Sequence, residues 1–385
     1  MCGFLSIYCK KNNLRKKIDI IKNNFVDFKF RGPDNSGFEE LLINNCNLII
    51  AHHRLSIIDL DARSNQPMNS NDGRYKIIFN GEIYNHKNIR AELQLKYNIV
   101  WKGHSDTETL LNLLSLYPIE HALKRIVGMF AFVFFDFKEN KVVICRDRAG
   151  EKPLYFAINN DFIGFSSDLR AFKNLVDFKS SINKDAYSKY LEYNYVPHPY
   201  SIINNIYKLP PASFLTINLG KVEFEKYRSF QDLIDNKNFQ FKKYWKIEDR
   251  LEKNKKYFNN DNPINKVDFL IEKSVKSQLL SDVPVGAFLS GGNDSALIVA
   301  NMQKFQKTNT FTIGFTESEH DESKIALQIS KILKTNHTTI NCSNYDARNL
   351  IPDINLAFSE PFADSSQIPT MLVSKFASKN VKVAL

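Results

Sequence analysis

Short apolar runs separated by polar turns fill residues 2–218. Four of these runs are rich in β-branched and aromatic residues, which favour strands, and they cover 48–51, 75–79, 129–135 and 142–145. Apolar residues at helical spacing predict helices over 14–23, 86–95, 107–116 and 184–193. This mixture of strands and helices predicts an α+β layered domain.

The pattern of apolar and polar positions changes in the second half of the chain. Residues 195–211 carry four of the 13 prolines and predict irregular structure, and the charged, Asn-rich stretch 219–262 predicts a linker. Helices are then predicted over 264–279, 295–305 and 322–334, and strands over 283–289, 310–315 and 337–341. Because helices and strands alternate, this half predicts an α/β doubly wound parallel sheet. We therefore divide the chain into a domain at 2–218, a linker at 219–262 and a domain at 263–385.

Composition narrows the class of protein. The chain has 385 residues, 43% hydrophobic and 24% charged, which is typical of a soluble protein with two domains. It shows neither an apolar run long enough to span a membrane nor a secretory signal, so we expect a cytoplasmic protein without a membrane partner. The net charge of +10 comes from scattered lysines rather than one basic stripe, so we expect no nucleic-acid partner. The 5 cysteines show no zinc spacing and no even pairing.

Cys2 is the first candidate for chemistry. Once Met1 is removed, Cys2 carries the free α-amine, whose pKa of roughly 7.7–8.0 lies close to neutral pH. That amine can take the proton of the thiol directly or through a water molecule, as in other nucleophiles activated by an N-terminal amine. A cysteine at the second position also arises by chance, so this position alone does not establish catalysis.

Four ordered motifs follow Cys2. They are RGPD at 31–34, AHHRLSIID at 51–59, NGEIYN at 80–85 and GHSDTE at 103–108. Together with Cys2, they make residues 2–218 resemble the class II glutamine amidotransferase domain of glutamine-dependent asparagine synthetases. The resemblance implies an α+β N-terminal-nucleophile hydrolase sandwich (αββα), in which two antiparallel sheets lie between helical layers.

The resemblance implies three catalytic residues in this domain. Cys2 would attack the side-chain amide of glutamine, giving a thioester and ammonia. The side-chain amide of Asn80 and the backbone N–H of Gly81 would form the oxyanion hole, which the reaction needs because negative charge develops on the carbonyl oxygen. A glycine at position 81 also suits a turn that points a backbone donor inward, and Asn-Gly pairs are most often turns.

Three further residues are implied to bind glutamine. Arg54 would hold the α-carboxylate, a task that suits the two-pronged guanidinium, and Asp106 with Glu82 would hold the α-ammonium. Each residue also has an ordinary explanation when it is taken alone. Arg54 could form a surface ion pair, and Asp106 could cap the helix that follows it.

A glycine-rich turn follows the predicted strand 283–289. Its sequence, SGGNDS at 290–295, leads into a helix, so backbone N–H groups that include those of Gly291 and Gly292 can bind an anion. No Gly-Lys-Ser/Thr follows, so this is not a Walker loop. It resembles the pyrophosphate loop of ATP pyrophosphatases, which cleave ATP to AMP and pyrophosphate.

This second resemblance implies ATP and Mg²⁺ as cofactors. Asp294 would be the Mg²⁺ ligand, and Ser290 and Ser295 would donate hydrogen bonds to phosphate. Leu289 and Ile313 would flank the adenine. An ordinary strand-to-helix turn is the alternative explanation for this segment.

The apolar run 381–385 predicts a buried parallel strand. In the family, this strand leads to a second loop that helps to form an aspartyl-adenylate, so we expect a truncated second domain whose parallel sheet is incomplete at the C-terminus. The resemblance implies glutamine, aspartate and ATP as small-molecule partners, and a homodimer. Three alternatives stay open: another carboxylate or a sugar as the acceptor, glutamine hydrolysis alone, and a catalytically inactive regulatory protein.

Overall fold

The computed structural model describes residues 1–10, 14–175, 182–224, 229–254, 262–315 and 321–385. The chain divides into two compact units, Met1–Arg250 with Ser359–Phe362, and Leu251–Phe358 with Ala363–Leu385. Within the described residues, no helix is both long and apolar enough to cross a membrane.

The first unit contains two six-stranded antiparallel sheets. Its strands are β1 (Gly3–Lys10), β2 (Asn35–Ile43), β3 (Cys46–Arg54), β4 (Met68–Asn69), β5 (Tyr75–Ile83), β6 (Gly128–Asp136), β7 (Lys141–Arg146), β8 (Tyr155–Ile158), β9 (Phe162–Ser166), β10 (Ile206–Lys208), β11 (Ser213–Asn218) and β12 (Phe239–Lys243). The first sheet has the order β10-β8-β9-β1-β3-β2 and the second the order β12-β11-β7-β6-β5-β4. Its helices are α1 (Leu14–Asp27), α2 (His86–Tyr97), α3 (Asp106–Leu116), α4 (Ile119–Arg125), α5 (Lys184–Tyr193) and α6 (Phe230–Asp235), and α7 (Ile247–Asn254) follows them.

Alternation along the strands builds four layers. One face of each sheet is apolar and packs against the other sheet, for example through Phe4 of β1, Ile50 of β3 and Ile78 of β5. The opposite face of the first sheet packs against α1, and that of the second sheet packs against α2 and α3. The first unit is therefore a sandwich of two sheets with helices on both outer faces.

Two site-bearing strands are longer than the sequence predicts. β3 continues past residue 51 to Arg54, and β5 continues past residue 79 to Ile83. The added residues of β3 are all polar, and those of β5 include Asn80 and Glu82, so the hydrophobic pattern is interrupted before either strand ends. The ladder continues because β3 pairs with β1 and β2, and β5 pairs with β6, through these positions.

The segment 219–262, predicted as a linker, is partly structured. It includes α6 and β12, and β12 pairs with β11, so the second sheet of the first unit extends beyond residue 218. Two parts of this segment, 225–228 and 255–261, lie outside the described residues.

The second unit is built around a four-stranded parallel sheet, as the alternating pattern predicts. Its helices are α8 (Pro263–Gln278), α9 (Asn293–Gln303), α10 (Ser323–Leu333), α11 (Asn344–Leu350), α12 (Ile354–Ala357) and α13 (Gln367–Ala377), and its strands are β13 (Val285–Phe288), β14 (Asn309–Phe315), β15 (Asn336–Cys342) and β16 (Val383–Ala384). The sheet order is β15-β14-β13-β16. Residues of α8, α9 and α10 cover one face and residues of α13 cover the other.

The strand order fixes where this unit can bind a ligand. From β13 the chain first adds β14 and β15 on one side, and it later adds β16 on the other side. In open parallel sheets, ligands bind outside the carboxyl ends of the strands where the winding direction reverses. The Gly291-Gly292 turn comes directly after β13, at that reversal.

Candidate active site

Four structural elements of the first unit bring the predicted glutamine-site residues together. Cys2 precedes β1, Arg54 ends β3, Asn80 lies near the end of β5, and Asp106 begins α3. β1 and β3 are paired so that Gly3 lies opposite His53, which places Cys2 beside the end of β3. After burial, which raises the pKa of the Cys2 thiol most, the charge of Arg54 lowers this pKa and the charge of Asp106 raises it.

The Cys2 thiol is held by the chain that follows Arg54. Its Sγ accepts a hydrogen bond from the backbone N–H of Leu55 at 3.3 Å. Burial raises the pKa of the Cys2 thiol, while the Leu55 N–H, the α-amine of the chain and Arg54 act in the opposite direction. The site therefore needs a base to ionise the thiol. Burial also lowers the pKa of the α-amine, carried here by Met1, to about 6, so this amine is neutral near pH 7 and can accept a proton.

The edge of β5 near Cys2 carries an open backbone donor. The N–H groups of Phe79 and Ile83 point away from β6, to Gln66 Oε1 at 2.6 Å and Asp106 Oδ2 at 2.9 Å. Because N–H groups point alternately to the two sides of a strand, the N–H of Gly81 points to the same edge. The backbone donor that the sequence predicts for the oxyanion hole therefore lies between two N–H groups that are already bonded.

Asn80 carries a second donor at this position. Its side chain is 1% exposed, and its Nδ2 has no hydrogen-bond partner among the described residues. A buried amide without a partner costs free energy, and such groups in native proteins call for an explanation. An amide in this state can donate a hydrogen bond to a ligand.

The structure requires a glycine at position 81 for a different reason from the one that the sequence suggests, because Gly81 lies inside a strand and not in a turn. A Cβ at this position would lie 2.2 Å from the Met129 carbonyl oxygen and 2.7 Å from the Phe130 Cα. The glycine is needed because β6 approaches so closely that no side chain fits.

We expect Gly81→Ala to destabilise the first unit by about 3 kcal/mol, because the backbone of β6 would have to move. Gly220→Ala is the matched control, since its nearest neighbour would be Asn218 Oδ1 at 3.4 Å. Urea unfolding of both variants measures the effect. Equal midpoints would show that the strands are not this close.

Arg54 does not form a surface ion pair, because it is 5% exposed. Its Nη1 donates to the Asp61 carbonyl and to Asn65 Oδ1, both at 3.0 Å, and its Nη2 donates to the carbonyls of Ile58 and Asp59. These acceptors are neutral and fix the position of the guanidinium. Burial lowers the pKa of Arg54, while the charges of Cys2, Asp59 and Asp106 act in the opposite direction.

Glu82 and Asp106 are buried carboxyl groups in the same site. Burial, followed by the charge of Asp106, raises the pKa of Glu82 to about 7, and burial raises the pKa of Asp106 to about 6. Asp106 Oδ1 also accepts the N–H of Thr107 at 2.8 Å. The side-chain cap of α3 is Ser105, which accepts the N–H of Glu108, so Asp106 is not the capping residue. Two buried carboxyl groups beside a cysteine suit a cationic ligand such as an α-ammonium.

Sequence reasoning missed two basic residues of this site. Arg31 Nε donates to the Cys2 carbonyl at 3.3 Å, a contact that the RGPD motif alone does not predict. Lys152 is 8% exposed, and the charges of Glu82 and Cys2 act on it against a burial effect that lowers its pKa. Arg31 could have been found from its motif, whereas Lys152 lies in a polar stretch that gives no signal of burial.

The second unit places the predicted phosphate loop between β13 and α9. Ser290 N–H donates to Ser295 Oγ at 3.2 Å, and Gly292 N–H donates to Ser290 Oγ at 3.2 Å. The N–H of Gly291 donates to a carboxylate oxygen of Glu322 at 2.9 Å. A backbone N–H of the loop therefore binds the carboxylate of Glu322, and a phosphate oxygen could accept a hydrogen bond from the same group.

A cleft of about 330 Å³ adjoins this loop. Leu289, Ser290 and Ile313, three of the residues predicted to bind ATP, line it. Its other lining residues are mostly apolar: Phe288, Phe311, Thr312, Phe315, Glu322, Ser366, Pro369, Thr370 and Val373. An apolar cleft beside an anion-binding loop suits a nucleotide, whose base is flat and apolar and whose phosphates are charged.

The carboxylates around the loop fit a magnesium ion that is shared with a ligand. Among the described residues, no group of three or more His, Cys, Asp and Glu side chains could hold a metal alone. Asp294 is exposed in the first turn of α9, and Glu322 touches the loop. Mg²⁺ is usually held by one or two carboxylates together with the phosphates of a substrate, so this donor set fits it.

Comparisons with known proteins agree with both halves. The family described as a glutamine amidotransferase domain matches residues 1–228, and the family described as asparagine synthase matches residues 266–385. A Methanocaldococcus jannaschii protein provisionally named asparagine synthetase (glutamine-hydrolysing) 2 is 35% identical, covering 100% of this chain and 73% of its own length. Asparagine synthetase (glutamine-hydrolysing) 1 of Bacillus subtilis is 33% identical, covering 100% of this chain and 57% of its own length.

Among solved structures, the allosteric regulatory enzyme of purine biosynthesis covers 88% of this chain at 12% identity, with a TM-score of 0.43 that is too low to support a shared fold. The sequence relatives are the stronger evidence, since their similarity covers the whole chain. The chain spans 57% to 73% of the length of these two relatives. On the two matching domains and the identity to these proteins, the chain belongs to the family of glutamine-hydrolysing asparagine synthetases.

Proposed function

We propose that the chain hydrolyses glutamine at Cys2 and uses the ammonia to convert aspartate to asparagine with ATP. The observation that carries the glutaminase half is the unpartnered, buried Asn80 Nδ2 beside the open edge of β5. The phosphate loop at the winding reversal of the parallel sheet supports the ATP-dependent half. The N-terminal-nucleophile hydrolase fold belongs to the same proposal, as does a division into a glutaminase domain that begins at residue 2 and a synthetase domain at 263–385.

In the glutaminase reaction, Cys2 loses its proton to the α-amine that Met1 removal exposes, and Sγ attacks the amide carbon of glutamine. The negative charge that moves to the carbonyl oxygen is stabilised by Asn80 Nδ2 and the Gly81 N–H. The C–N bond then breaks, the nitrogen takes the proton and ammonia leaves. Water hydrolyses the thioester to glutamate and restores the thiol.

Charged side chains position glutamine for this reaction. Arg54 binds the α-carboxylate of glutamine, and ionised Asp106 and Glu82 bind the α-ammonium. The side-chain amide is then directed at Sγ, because both ends of the amino-acid head group are fixed.

In the ATP-dependent reaction, the β-carboxylate of aspartate attacks the α-phosphorus of ATP and releases pyrophosphate. Ammonia then attacks the aspartyl-adenylate, giving asparagine and AMP. The loop of Ser290, Gly291, Gly292 and Ser295 would bind phosphate, and Leu289 and Ile313 would flank the adenine. Asp294 would hold Mg²⁺, which supplies charge neutralisation for the phosphates when bound.

We expect KM for glutamine to rise roughly tenfold between about pH 8 and about pH 6. The pKa values of Glu82 and Asp106 are about 7 and about 6, so both groups are ionised at the higher pH and become protonated as the pH falls. Loss of their charge weakens binding of the α-ammonium. Initial rates of glutamate release measured across this range give KM separately from kcat. A constant KM would contradict the assigned binding role.

Two products test the proposed function as a whole. Glutamine-dependent glutamate release by the purified chain tests the first half, and aspartate-dependent AMP formation with Mg-ATP tests the second half. We expect glutamate in both the presence and the absence of ATP. AMP that forms with another carboxylate but not with aspartate would show a different acceptor, and an absence of AMP would contradict adenylation by this chain.

A further inference from the structure

The carboxylate of Glu322 occupies a donor of the phosphate loop. Its Oε2 lies 2.9 Å from the backbone nitrogen of Gly291. A Cβ on Gly291 would lie 3.3 Å from the Cβ atoms of both Glu322 and Ile325, so the start of α10 packs closely on the loop. The contact is therefore built into the way in which α10 meets the loop.

The neighbouring donors of the loop are satisfied differently. Ser290 and Gly292 give their N–H groups to the hydroxyls of Ser295 and Ser290, which are neutral acceptors and can rotate away. Gly291 alone among these three gives its N–H to a charged group. A phosphate oxygen that takes this donor has to replace a carboxylate oxygen.

Charge inside the cleft makes that replacement unfavourable for a free phosphate. Glu322 is the only charged residue among the described residues that line the cleft, and none of these is a lysine or an arginine. A nucleotide without a metal would bring several negative charges next to this carboxylate, and no basic side chain among the lining residues that the structure describes compensates for them. A divalent cation removes the repulsion, because carboxylate and phosphate oxygens can then share it.

We propose that Glu322 makes nucleotide binding at this loop dependent on a divalent cation. The inference rests on the proposed ATP site and assigns a specificity role to a residue outside the glycine-rich motif. Metal-free ATP is rejected by the carboxylate, whereas Mg-ATP is accepted because the metal neutralises the contact that blocks Gly291.

Calorimetric titration of the purified chain with ATP, in the presence of Mg²⁺ or of EDTA, tests this role without any turnover. For the wild type we expect Mg-ATP to bind at least about tenfold more tightly than metal-free ATP. For Glu322→Gln we expect metal-free ATP to bind about tenfold more tightly than it binds the wild type. Glutamine keeps the size of the side chain and can still accept the Gly291 N–H, so only the charge changes.

Two further variants separate the possible causes. Glu272→Gln is the matched control for net charge, because Glu272 is partly exposed on α8 and pairs with Lys304. We expect this variant to keep the wild-type ratio of the two affinities. Glu322→Ala removes both charge and hydrogen bond, and we expect it to behave like Glu322→Gln. If only Glu322→Ala tightened the binding of metal-free ATP, the hydrogen bond would be the barrier and the charge role would be wrong.

The outcomes also separate this inference from the proposed function. Wild-type binding of Mg-ATP with an unchanged affinity ratio in Glu322→Gln would overturn the inference alone. No binding of Mg-ATP to the wild-type chain would overturn the proposed nucleotide site and the inference with it.

Discussion

Replacing Cys2 with serine is expected to lower the rate of glutamate release from glutamine at least about 10³-fold. A serine hydroxyl holds its proton far more tightly than a thiol, and the only base proposed here is an α-amine, which is too weak a base to ionise a hydroxyl near neutral pH. Serine is close to cysteine in size and can still accept the Leu55 N–H that now bonds to Sγ. The fold should therefore be kept while the reaction is lost. Glutamate release and the unfolding temperature, measured on the same preparation, test both parts.

Cys46→Ser is the control for this substitution, because Cys46 is a partly exposed residue at the opposite end of β3 from Arg54. We expect its glutamate release to match the wild type. An intact mass has to show that Met1 has been removed, since retained Met1 would carry the α-amine in place of Cys2. A processed Cys2→Ser variant that kept more than a tenth of the wild-type rate would contradict nucleophilic attack by Cys2.

The candidate site residues can be chosen from the sequence because they stand in ordered motifs, but the local structure around them cannot be predicted in the same way. The Asn80-Gly81 pair predicts a turn by local preference, and the apolar pattern predicts a strand that ends at residue 79. The structure continues β5 through both residues, because pairing with β6 does not depend on apolar side chains. Tertiary pairing outweighed local preference at the point where the strand carries the site.

The burial of single charged residues also cannot be predicted from the sequence. Lys152 follows Glu151 in a polar stretch, which predicts a solvated loop, yet it is 8% exposed. Asp147 determines its position by accepting the N–H groups of Glu151 and Lys152 at 2.9 and 3.0 Å. Such a turn forms through a side chain several residues away, and no periodic pattern encodes it.

In the second unit, strand order could be predicted only in part. Alternating helices and strands predict a parallel sheet, and the SGGNDS turn predicts an anion loop. The placement of β16 beside β13, which creates the winding reversal, depends on long-range pairing of Val285 with Val383. The contact of Glu322 with Gly291 likewise joins residues that no motif connects.

Asn80→Ala is expected to lower kcat for glutamate release by about 10²–10³-fold, the usual cost of losing one oxyanion-hole donor. The same substitution should cost little stability, because Asn80 Nδ2 has no partner among the described residues and its burial is unfavourable in the free enzyme. An amide kept for the fold would behave in the opposite way. Kinetics and urea unfolding together therefore distinguish the two roles.

Asn47→Ala is the matched control, since Asn47 is also buried, at 6% exposure, and its Nδ2 also lacks a partner in the described part of the chain. It lies in β3 opposite Cys9, at the other end of the strand from Arg54. Both variants should unfold close to the wild type, and only Asn80→Ala should lose activity. A destabilised Asn80→Ala with wild-type kcat would make this amide structural and remove the observation that carries the glutaminase proposal. Loss of kcat without loss of stability would mean that the chain keeps an unfavourable buried donor because the transition state uses it.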